Sequence, residues 1–292
     1  MKYLKIDNKE VMPIISFGVY QIRDLELCET AVLQALEIGY RGIDTAQVYA
    51  NEEAVGEALS KTNVKREDIF LTTKVWISNY RYDDTIKSIE VSLKKLQTSY
   101  IDLVLIHQPF GPYYEAYRAL EDLQDKKIIK YIGISNFSPN RLVDLSLFSR
   151  KKPQVNQIEM HPFFQQKEAI KWNEKYGVIP QAWAPFAEGK NDIFTNSVLK
   201  KIGDKYKKTP AQVILRWLIE LNIPFAVKSV NQDRIKQNFE IFDFKLSTED
   251  LKLISALDLN VSSFFDHSTP EGVEIMHNLI NQRKSNNNNS SK

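Results

Sequence analysis

A few polar residues stand where apolar, strand-like runs of this sequence end, and together they could exchange a proton with a substrate. Asp44, Lys74 and His107 each close such a run, and Tyr49 follows Asp44 closely. Buried parallel strands read as continuous apolar runs. The carboxyl ends of such strands meet at one rim of an α/β barrel. We therefore expect these four side chains to form an acid–base site.

Tyr49 is the candidate proton donor of this site. A free phenol has a pKa near ~10, and a nearby ammonium lowers that pKa while a carboxylate can hold the ammonium in position. Lys74 could supply the ammonium, and Asp44 could pair with it. His107 could orient a substrate oxygen. Such a group would protonate an oxygen that becomes an alkoxide, which is the situation met when a carbonyl is reduced.

The composition is that of an ordinary globular protein. The 292 residues are 43% hydrophobic and 26% charged, and 39 basic against 37 acidic residues leave a net charge of +2. This balance gives no reason to expect a nucleic-acid partner. The single cysteine, Cys28, excludes an internal disulfide framework and fits a reducing compartment. With no signal segment and no apolar run of membrane-spanning length, we expect a soluble, cytoplasmic protein.

Strand-like and helical patterns alternate along the chain and predict one architecture. Strands are expected near 15–17, 40–43, 69–74, 102–106, 129–134, 154–157, 178–183 and 224–228. Eight strands alternating with helices indicate a single (β/α)8 TIM barrel. A β-hairpin should precede it, and extra helices are expected at 197–207, 210–221 and 247–257. We assign residues 1–280 to the barrel domain and residues 281–292, rich in Asn and Ser, to a disordered polar tail.

Several segments, in order along nearly the whole chain, resemble those of the aldo-keto reductase family. They are Asp-Thr-Ala-Gln-Val-Tyr-Ala-Asn-Glu at 44–52, Thr-Lys-Val-Trp at 73–76, Ile-His-Gln-Pro at 106–109, Gly-Ile-Ser-Asn-Phe at 133–137, Val-Asn-Gln-Ile-Glu at 155–159 and Lys-Ser-Val-Asn-Gln-Asp-Arg-Ile-Lys-Gln-Asn at 228–238. The short loops are similar to those of bacterial members of the 2,5-diketo-D-gluconate reductase and glyoxal reductase type.

The resemblance implies reduction of aldehydes and ketones by NADPH, with no metal ion. In this interpretation Tyr49 is the general acid, Lys74 and Asp44 tune it, and His107 orients the carbonyl. The residues implied to bind NADPH are Ser135, Asn136, Gln157 and Trp183 at the nicotinamide, and Lys228, Ser229, Val230, Asn231, Arg234, Gln237 and Asn238 at the adenosine and its phosphate.

The residues implied to contact the substrate are Tyr20, Trp76, Gln108 and His107, and Phe110 is a further candidate. Many relatives have a Trp where Gln108 stands, and the following segment 109–114 is short. We therefore expect an open, polar pocket that takes small polar carbonyls such as dicarbonyls, keto-sugars and aldehydes. The Phe264–His267 segment is a candidate to close one side of it. We expect a monomer.

Two other functions remain open from the sequence. A Schiff-base aldolase or lyase also uses a lysine on a barrel strand, but it needs Lys74 neutral. A carboxylate at Asp44 would keep that lysine charged, and the segment 228–238 would have no purpose. A non-catalytic subunit that binds NADPH and contacts a partner protein is the second alternative, which the complete set of four polar residues disfavours.

Overall fold

A closed barrel of parallel strands, preceded by an antiparallel hairpin, forms the centre of the molecule. The computed structural model describes the backbone of residues 2–290 and the side chains of residues 2–282. The hairpin consists of β1 (Tyr3–Ile6) and β2 (Lys9–Pro13). The eight barrel strands are β3 (Ile15–Gly18), β4 (Gly42–Asp44), β5 (Phe70–Val75), β6 (Ile101–Ile106), β7 (Ile129–Ser135), β8 (Val155–Glu159), β9 (Ile179–Trp183) and β10 (Phe225–Val227). The predicted (β/α)8 fold with its hairpin is confirmed.

Helices follow the barrel strands and surround the barrel. They are α1 (Leu25–Ile38), α2 (Glu52–Lys61), α3 (Tyr82–Lys95), α4 (Tyr113–Asp125), α5 (Pro139–Phe148), α6 (Lys167–Tyr176), α7 (Ser197–Tyr206), α8 (Pro210–Glu220), α9 (Gln232–Phe239), α10 (Thr248–Ser255) and α11 (Pro270–Ser290). Local sequence sets their ends: Thr209 and Gln212 form a capping box at the start of α8. Gly39, with φ +124°, ends α1, because glycine adopts positive φ without steric cost.

The extra helices expected at 197–207, 210–221 and 247–257 correspond to α7, α8 and α10. Helix α11 covers 281–290, most of the segment predicted to be a disordered tail. The last two residues of that segment lie outside the described residues. The division into a barrel domain at 1–280 and a polar tail therefore stays a prediction.

Successive side chains of a barrel strand point alternately to the barrel interior and to the surrounding helices. In β5, Lys74 reaches Asp44 on the neighbouring β4, whereas the hydroxyl of Thr73 donates to Glu52 on α2. All six residues of β5 and of β6 are buried. This pattern is expected for parallel strands covered on both faces, and it explains why apolar runs located the strands.

The two ends of the barrel differ in what covers them. The hairpin lies at the amino-terminal end, where Asp7 accepts a hydrogen bond from Gln154, the residue before β8. The carboxyl-terminal end carries the loops that follow Asp44, Lys74 and His107. Within the described residues, no helix is long and apolar enough to cross a lipid bilayer.

Candidate active site

The side chain of Lys74 connects two other predicted site residues. Its Nζ lies 2.5 Å from Asp44 Oδ1 and 3.4 Å from Tyr49 Oη, and it also donates to the carbonyl oxygen of Thr45 at 2.9 Å. Only 1% of Lys74 and 4% of Asp44 is exposed. A buried ion pair with three hydrogen bonds around the ammonium holds that ammonium in one position next to the phenol.

The protonation of the pair follows from burial and charge. Burial raises the pKa of Tyr49 above its ordinary value, Lys74 offsets part of the increase, and Asp44 adds to it. Burial lowers the pKa of Lys74, but the attraction of Asp44 and Tyr49 is stronger, so this pKa is raised overall. The expected fall in the Tyr49 pKa is thus outweighed by burial. Tyr49 is a protonated phenol at neutral pH, and Lys74 is charged.

Two aromatic rings border Tyr49, and a third packs on one of them. The ring of Tyr20 lies 4.9 Å from that of Tyr49, and the His107 ring meets Tyr49 edge to face at 5.7 Å. The indole of Trp76 in turn lies 5.2 Å from His107. The structure therefore brings together the predicted catalytic residues and two of the predicted substrate contacts. The Tyr49 hydroxyl and the His107 ring, bordered by Tyr20 and Trp76, could hold a carbonyl compound with its oxygen near Tyr49 and His107.

Gln108 differs from these neighbours because its side chain is buried. Only 7% of the residue is exposed, and its backbone is held by the hydroxyl of Tyr80. Its Oε1 is buried and accepts no hydrogen bond from the described residues. A direct contact between Gln108 and a substrate stays a prediction.

Two residues inside the Asp-Thr-Ala segment support the site, although the sequence analysis gave them no role. Asn51 Nδ2 donates to the carbonyl oxygens of Val19 and Ile22, and these two residues flank the turn that carries Tyr20. Glu52 accepts from Thr73 at 2.6 Å, and Thr73 immediately precedes Lys74. The sequence signal for this role is two polar residues shortly after Tyr49, at the start of a helix. The structure shows that both are buried.

Gln47 is a further support that the sequence analysis missed. Its Oε1 accepts from the backbone N–H of Trp76 at 3.0 Å and from Asn79 Nδ2 at 2.9 Å, while its Nε2 donates to Ser92 on α3. Gln47 thereby ties the short helical turn that carries Tyr49 to the loop that carries Trp76.

The residues predicted at the nicotinamide form a network between β7, β8 and β9. Asn136, with φ +67°, donates to the carbonyl oxygen of His107 and accepts from the indole Nε1 of Trp183 at 2.8 Å. The hydroxyl of Ser135 donates to the carbonyl oxygen of Gln157. This network adjoins Tyr49, because the carbonyl oxygen of His107 belongs to the network and the ring of His107 meets Tyr49.

Gln157 lies in the middle of β8, since the strand continues to Glu159. Its Nε2 donates to Asp44 Oδ2 at 2.7 Å and to Gln181 Oε1 at 3.0 Å. Gln157 Oε1 accepts no hydrogen bond from the side chains that the structure describes. An amide oxygen with spare accepting capacity suits the N–H of a carboxamide, so these residues fit a nicotinamide ring.

The segment predicted to bind the adenosine phosphate follows β10 and begins α9. Lys228, Asn231 and Arg234 are exposed, as is Val230 at 40%. Asn231 caps the helix by accepting from the backbone N–H of Arg234. The hydroxyl of Ser229 accepts from the backbone N–H of Asn231. Exposed cations beside a helix start could bind an anion.

Further along α9, Gln237 is partly buried and Asn238 is 5% exposed. The carbonyl oxygen of Gln237 accepts from Gln212 on α8. Asn238 thus lies on the buried side of α9, and the backbone of Gln237 contacts α8. Their contact with an adenine stays a prediction.

The segment before α11 packs on the rim of the barrel. Buried Glu159 accepts from the hydroxyl of Ser262 and from the N–H of Ser263. Phe264 lies 5.1 Å from the ring of Trp183, and His267 stacks on Phe110 at 6.1 Å. The segment therefore reaches from β9 to the loop after β6. Together with the segment after β7, which includes Asn136, it borders a cavity of about 400 Å³.

No group of three or more His, Cys, Asp or Glu side chains in the described part of the chain is placed to hold a metal ion. Near Lys74, the described side chains place the phenol of Tyr49 next to a fixed ammonium.

Comparisons with known proteins agree on one family. Residues 15–259 match the sequence model of the Aldo/keto reductase family. Methylglyoxal reductase DkgA of Escherichia coli is 40% identical over 258 residues, which are 87% of this chain and 93% of that protein.

Solved structures agree with the sequence relatives. An aldo-keto reductase from a deep-sea metagenome library, MGS-M4, has a TM-score of 0.87 at 39% identity, covering 90% of this chain and 97% of that one. A putative 2,5-diketo-D-gluconic acid reductase B has a TM-score of 0.84 at 35% identity, covering 88% and 92%. A Bombyx mori aldo-keto reductase in complex with NADP has a TM-score of 0.83 at 30% identity, covering 91% and 96%.

Proposed function

Because this chain belongs to the aldo/keto reductase family of oxidoreductases, we propose that it reduces small carbonyl compounds to alcohols with NADPH. The observation that carries the proposal is the position of Lys74 between Asp44 and Tyr49. This arrangement keeps one buried phenol next to a fixed positive charge. A proton donor of that kind is what an oxygen needs when it becomes an alkoxide.

NADPH, when bound, would supply the hydride for the carbonyl carbon. Tyr49 donates its phenolic proton to the carbonyl oxygen as negative charge develops there. The ammonium of Lys74, fixed by Asp44, stabilises the tyrosinate that remains. His107, whose ring meets Tyr49 edge to face, orients the carbonyl oxygen toward the proton. Tyr20 and Trp76 would border the substrate beside these residues.

The cofactor is proposed to lie across the carboxyl ends of β7 to β10. The carboxamide would bind Ser135, Asn136 and Gln157, and Trp183 would stack on the nicotinamide ring. The 2′-phosphate would bind Lys228 and Arg234 beside Ser229, Val230 and Asn231, with the adenine near Gln237 and Asn238. The NADP complex of the Bombyx mori relative supports this choice of cofactor.

Small polar carbonyls are the proposed substrates. Two of the similar proteins are named as a methylglyoxal reductase and a putative 2,5-diketo-D-gluconic acid reductase, and both names describe reductases of small polyfunctional carbonyls. The short loop after His107 supports the same range, because it leaves little chain to wall a large apolar pocket.

The experiment that tests the proposal follows NADPH absorbance with methylglyoxal, a keto-sugar, an aromatic aldehyde and a steroid ketone. We expect turnover of the first three. The purified protein with Tyr49→Phe serves as the matched control, because it keeps the ring and loses only the proton. No NADPH oxidation with any of these carbonyls would contradict the proposal.

The aldolase alternative requires a neutral Lys74 that attacks a carbonyl. The raised pKa of Lys74, due to Asp44 and Tyr49 despite burial, opposes it. Treatment with borohydride and substrate would trap a Schiff base as a covalent adduct on Lys74. We expect no adduct by mass spectrometry. A non-catalytic subunit would bind NADPH without oxidising it in the carbonyl panel.

A further inference from the structure

Three side chains form a hydrogen-bonded chain through the barrel interior. Gln157 Nε2 lies 3.0 Å from Gln181 Oε1 on the adjacent strand β9 and 2.7 Å from Asp44 Oδ2 on β4. In the barrel, three strands separate β8 from β4 in either direction, so the bond to Asp44 crosses the interior. Gln157 and Gln181 are paired in register, and both are almost fully buried.

The hydrogen bonds among Asp44, Gln157 and Gln181 determine which end of each amide is the oxygen and which is the NH2 group. The carboxylate of Asp44, ion-paired with Lys74, accepts hydrogen bonds and donates none. The end of Gln157 that faces it must therefore be the NH2 group. The same NH2 group faces Gln181, whose amide can accept only through its oxygen. The assignment of oxygen and nitrogen in both amides thus follows from the charge on Asp44 rather than from their shapes.

The consequence lies at the other end of Gln157. With both N–H groups used inside the barrel, its Oε1 is the part of the amide that remains to accept a hydrogen bond. A single bond to Asp44 would set this polarity but would let the amide plane turn about that bond. The second bond, to Gln181, fixes the plane and with it the direction of the Oε1 lone pairs.

We propose that Gln181 is a positioning residue, which holds the Gln157 amide so that Oε1 accepts an N–H from the nicotinamide carboxamide. This inference rests on the proposed function. Gln181 itself touches neither cofactor nor substrate in this role. Since the same Gln157 amide holds Asp44 Oδ2, one side chain serves both the carboxamide and the ion pair beside Tyr49.

The test compares two ligands that share the adenosine part. NADP+ carries the carboxamide, and adenosine 2′,5′-bisphosphate lacks the nicotinamide altogether. Gln181→Met removes the acceptor and keeps a flexible side chain of similar length. We expect the Kd of NADP+ to rise about threefold to tenfold, as for the loss of one hydrogen bond. The Kd of the bisphosphate, measured by calorimetry on the same samples, should not change.

A second probe examines the hydrogen bond itself. The 3-acetylpyridine analogue of NADP+ has an acetyl group in place of the carboxamide, so it offers no N–H to Gln157. The unmodified protein should bind NADP+ more tightly than this analogue. In Gln181→Met, and in Gln157→Leu as reference, that difference should shrink to less than about twofold. Gln181→Leu repeats the measurement if Gln181→Met does not fold.

Gln165→Met is the matched control for burial. Gln165 is also a buried glutamine whose Nε2 donates twice, to the carbonyl oxygens of Pro162 and Ile254, but it lies outside the chain through Gln157. It should lower the melting temperature and leave the ratio of the two ligand affinities unchanged.

Two results would overturn the inference, and only the second would also overturn the proposed function. If Gln181→Met weakens NADP+ and the bisphosphate equally, or neither, then Gln181 does not position Gln157 for the carboxamide, and the proposed function stands. If the unmodified protein binds no NADP+, the proposed function fails and the inference fails with it.

Discussion

The ammonium of Lys74 lies 3.4 Å from the hydroxyl of Tyr49, although the two residues belong to different βα units of the barrel. Lys74 is on β5, and Tyr49 is on the loop after β4. The distance is short because Asp44, the last residue of β4, binds Lys74 from the neighbouring strand. The ion pair between Asp44 and Lys74 therefore fixes the position of the ammonium next to the Tyr49 hydroxyl.

Replacing Tyr49 by phenylalanine should remove the proton donor and little else. We expect kcat to fall about 10²–10⁴-fold, the usual contribution of a general acid, while the Kd of NADPH stays near that of the parent. Stopped-flow turnover and fluorescence titration measure the two quantities. Tyr176→Phe, which removes a hydroxyl from a ring on α6 that packs on Trp172, is the control. Turnover by Tyr49→Phe within tenfold of the parent would exclude Tyr49 as the acid.

The two members of the ion pair should move the alkaline limit of activity in opposite directions. Lys74 lowers the pKa of Tyr49 and Asp44 raises it, within a net increase due to burial. Reduction needs the protonated phenol, so activity falls as pH rises through this pKa. Lys74→Met should therefore shift the alkaline limit of kcat/KM to higher pH, and Asp44→Asn should shift it to lower pH.

Both variants should also lose activity at neutral pH, with Lys74→Met the more impaired, because Asp44→Asn still leaves a cation near the phenol. Full pH profiles of kcat/KM check both statements. A shift in the same direction for both variants would refute the electrostatic coupling. Thermal melts run in parallel detect the instability expected when one partner of a buried pair is removed.

Arg234→Ala should weaken NADPH binding and leave NADH binding nearly unchanged. The two cofactors differ by one phosphate, which carries about two negative charges at neutral pH. Arg234 is exposed in the first turn of α9, where a guanidinium can bind that phosphate through two N–H groups. Titrations with both cofactors measure the effect. Lys236→Ala, on the same helix, is the control; an equal loss for NADPH and NADH would show that Arg234 does not recognise the phosphate.

Substrate range should favour small polar carbonyls over large apolar ones. The loop between His107 and the start of α4 at Tyr113 is short, and its Phe110 is already stacked on His267. This loop therefore has too few other residues to form the wall of a pocket for a steroid. We expect kcat/KM for methylglyoxal to exceed that for a steroid ketone by at least about 100-fold, which is roughly 2.7 kcal/mol in transition-state binding. Comparable values for the two would contradict this view of the pocket.

His267 should make the folded protein less stable at acid pH. Burial lowers the pKa of His267 from 6.5 to about 4, and Glu159 and Asp266 offset only part of the decrease. Between these values the unfolded chain binds a proton that the folded chain does not, so stability is full above 6.5 and is lost as pH falls toward 4. His267→Phe keeps the stacked ring and should reduce this loss in urea unfolding measured across the window.

The control for that experiment is His277→Gln, because His277 is exposed on α11. It should leave the pH dependence of stability as it is in the parent. If His267→Phe loses stability as steeply as the parent on acidification, another group is responsible.

The sequence predicted the fold closely because most barrel strands contain an apolar run. The predicted strand boundary was wrong where a polar residue lies inside a strand. The expected strand 154–157 stops at Gln157, whereas β8 continues through Ile158 and Glu159. A buried glutamine facing the interior reads as the end of an apolar run. The Asn-rich stretch after residue 280 predicts disorder from composition alone, and this division of the chain stays a prediction.

Within the site, local motifs located Tyr49, Lys74, Asp44 and His107, but not the residues that connect them. The bond between Gln157 and Asp44 joins residues 113 apart in sequence, and such a pairing depends on barrel closure. Sequence also could not give the direction of the Tyr49 pKa shift. The lysine was evident, yet the depth of burial that outweighs it is a property of the fold.

The seam of the barrel, where Phe225 pairs with Ile15, has a consequence for how the protein is made. Strand β3 is the first barrel strand to be synthesised and its partner β10 the last, so a nascent chain carries β3 as an open edge until residue 227 has emerged. Asp44, Tyr49, Lys74 and His107 are all synthesised long before the barrel can close. The residues proposed to bind NADPH begin at Ser135 and end beyond β10. Ligand binding thus cannot rescue an incomplete chain, and premature termination anywhere before the seam leaves an unpaired strand edge open to aggregation.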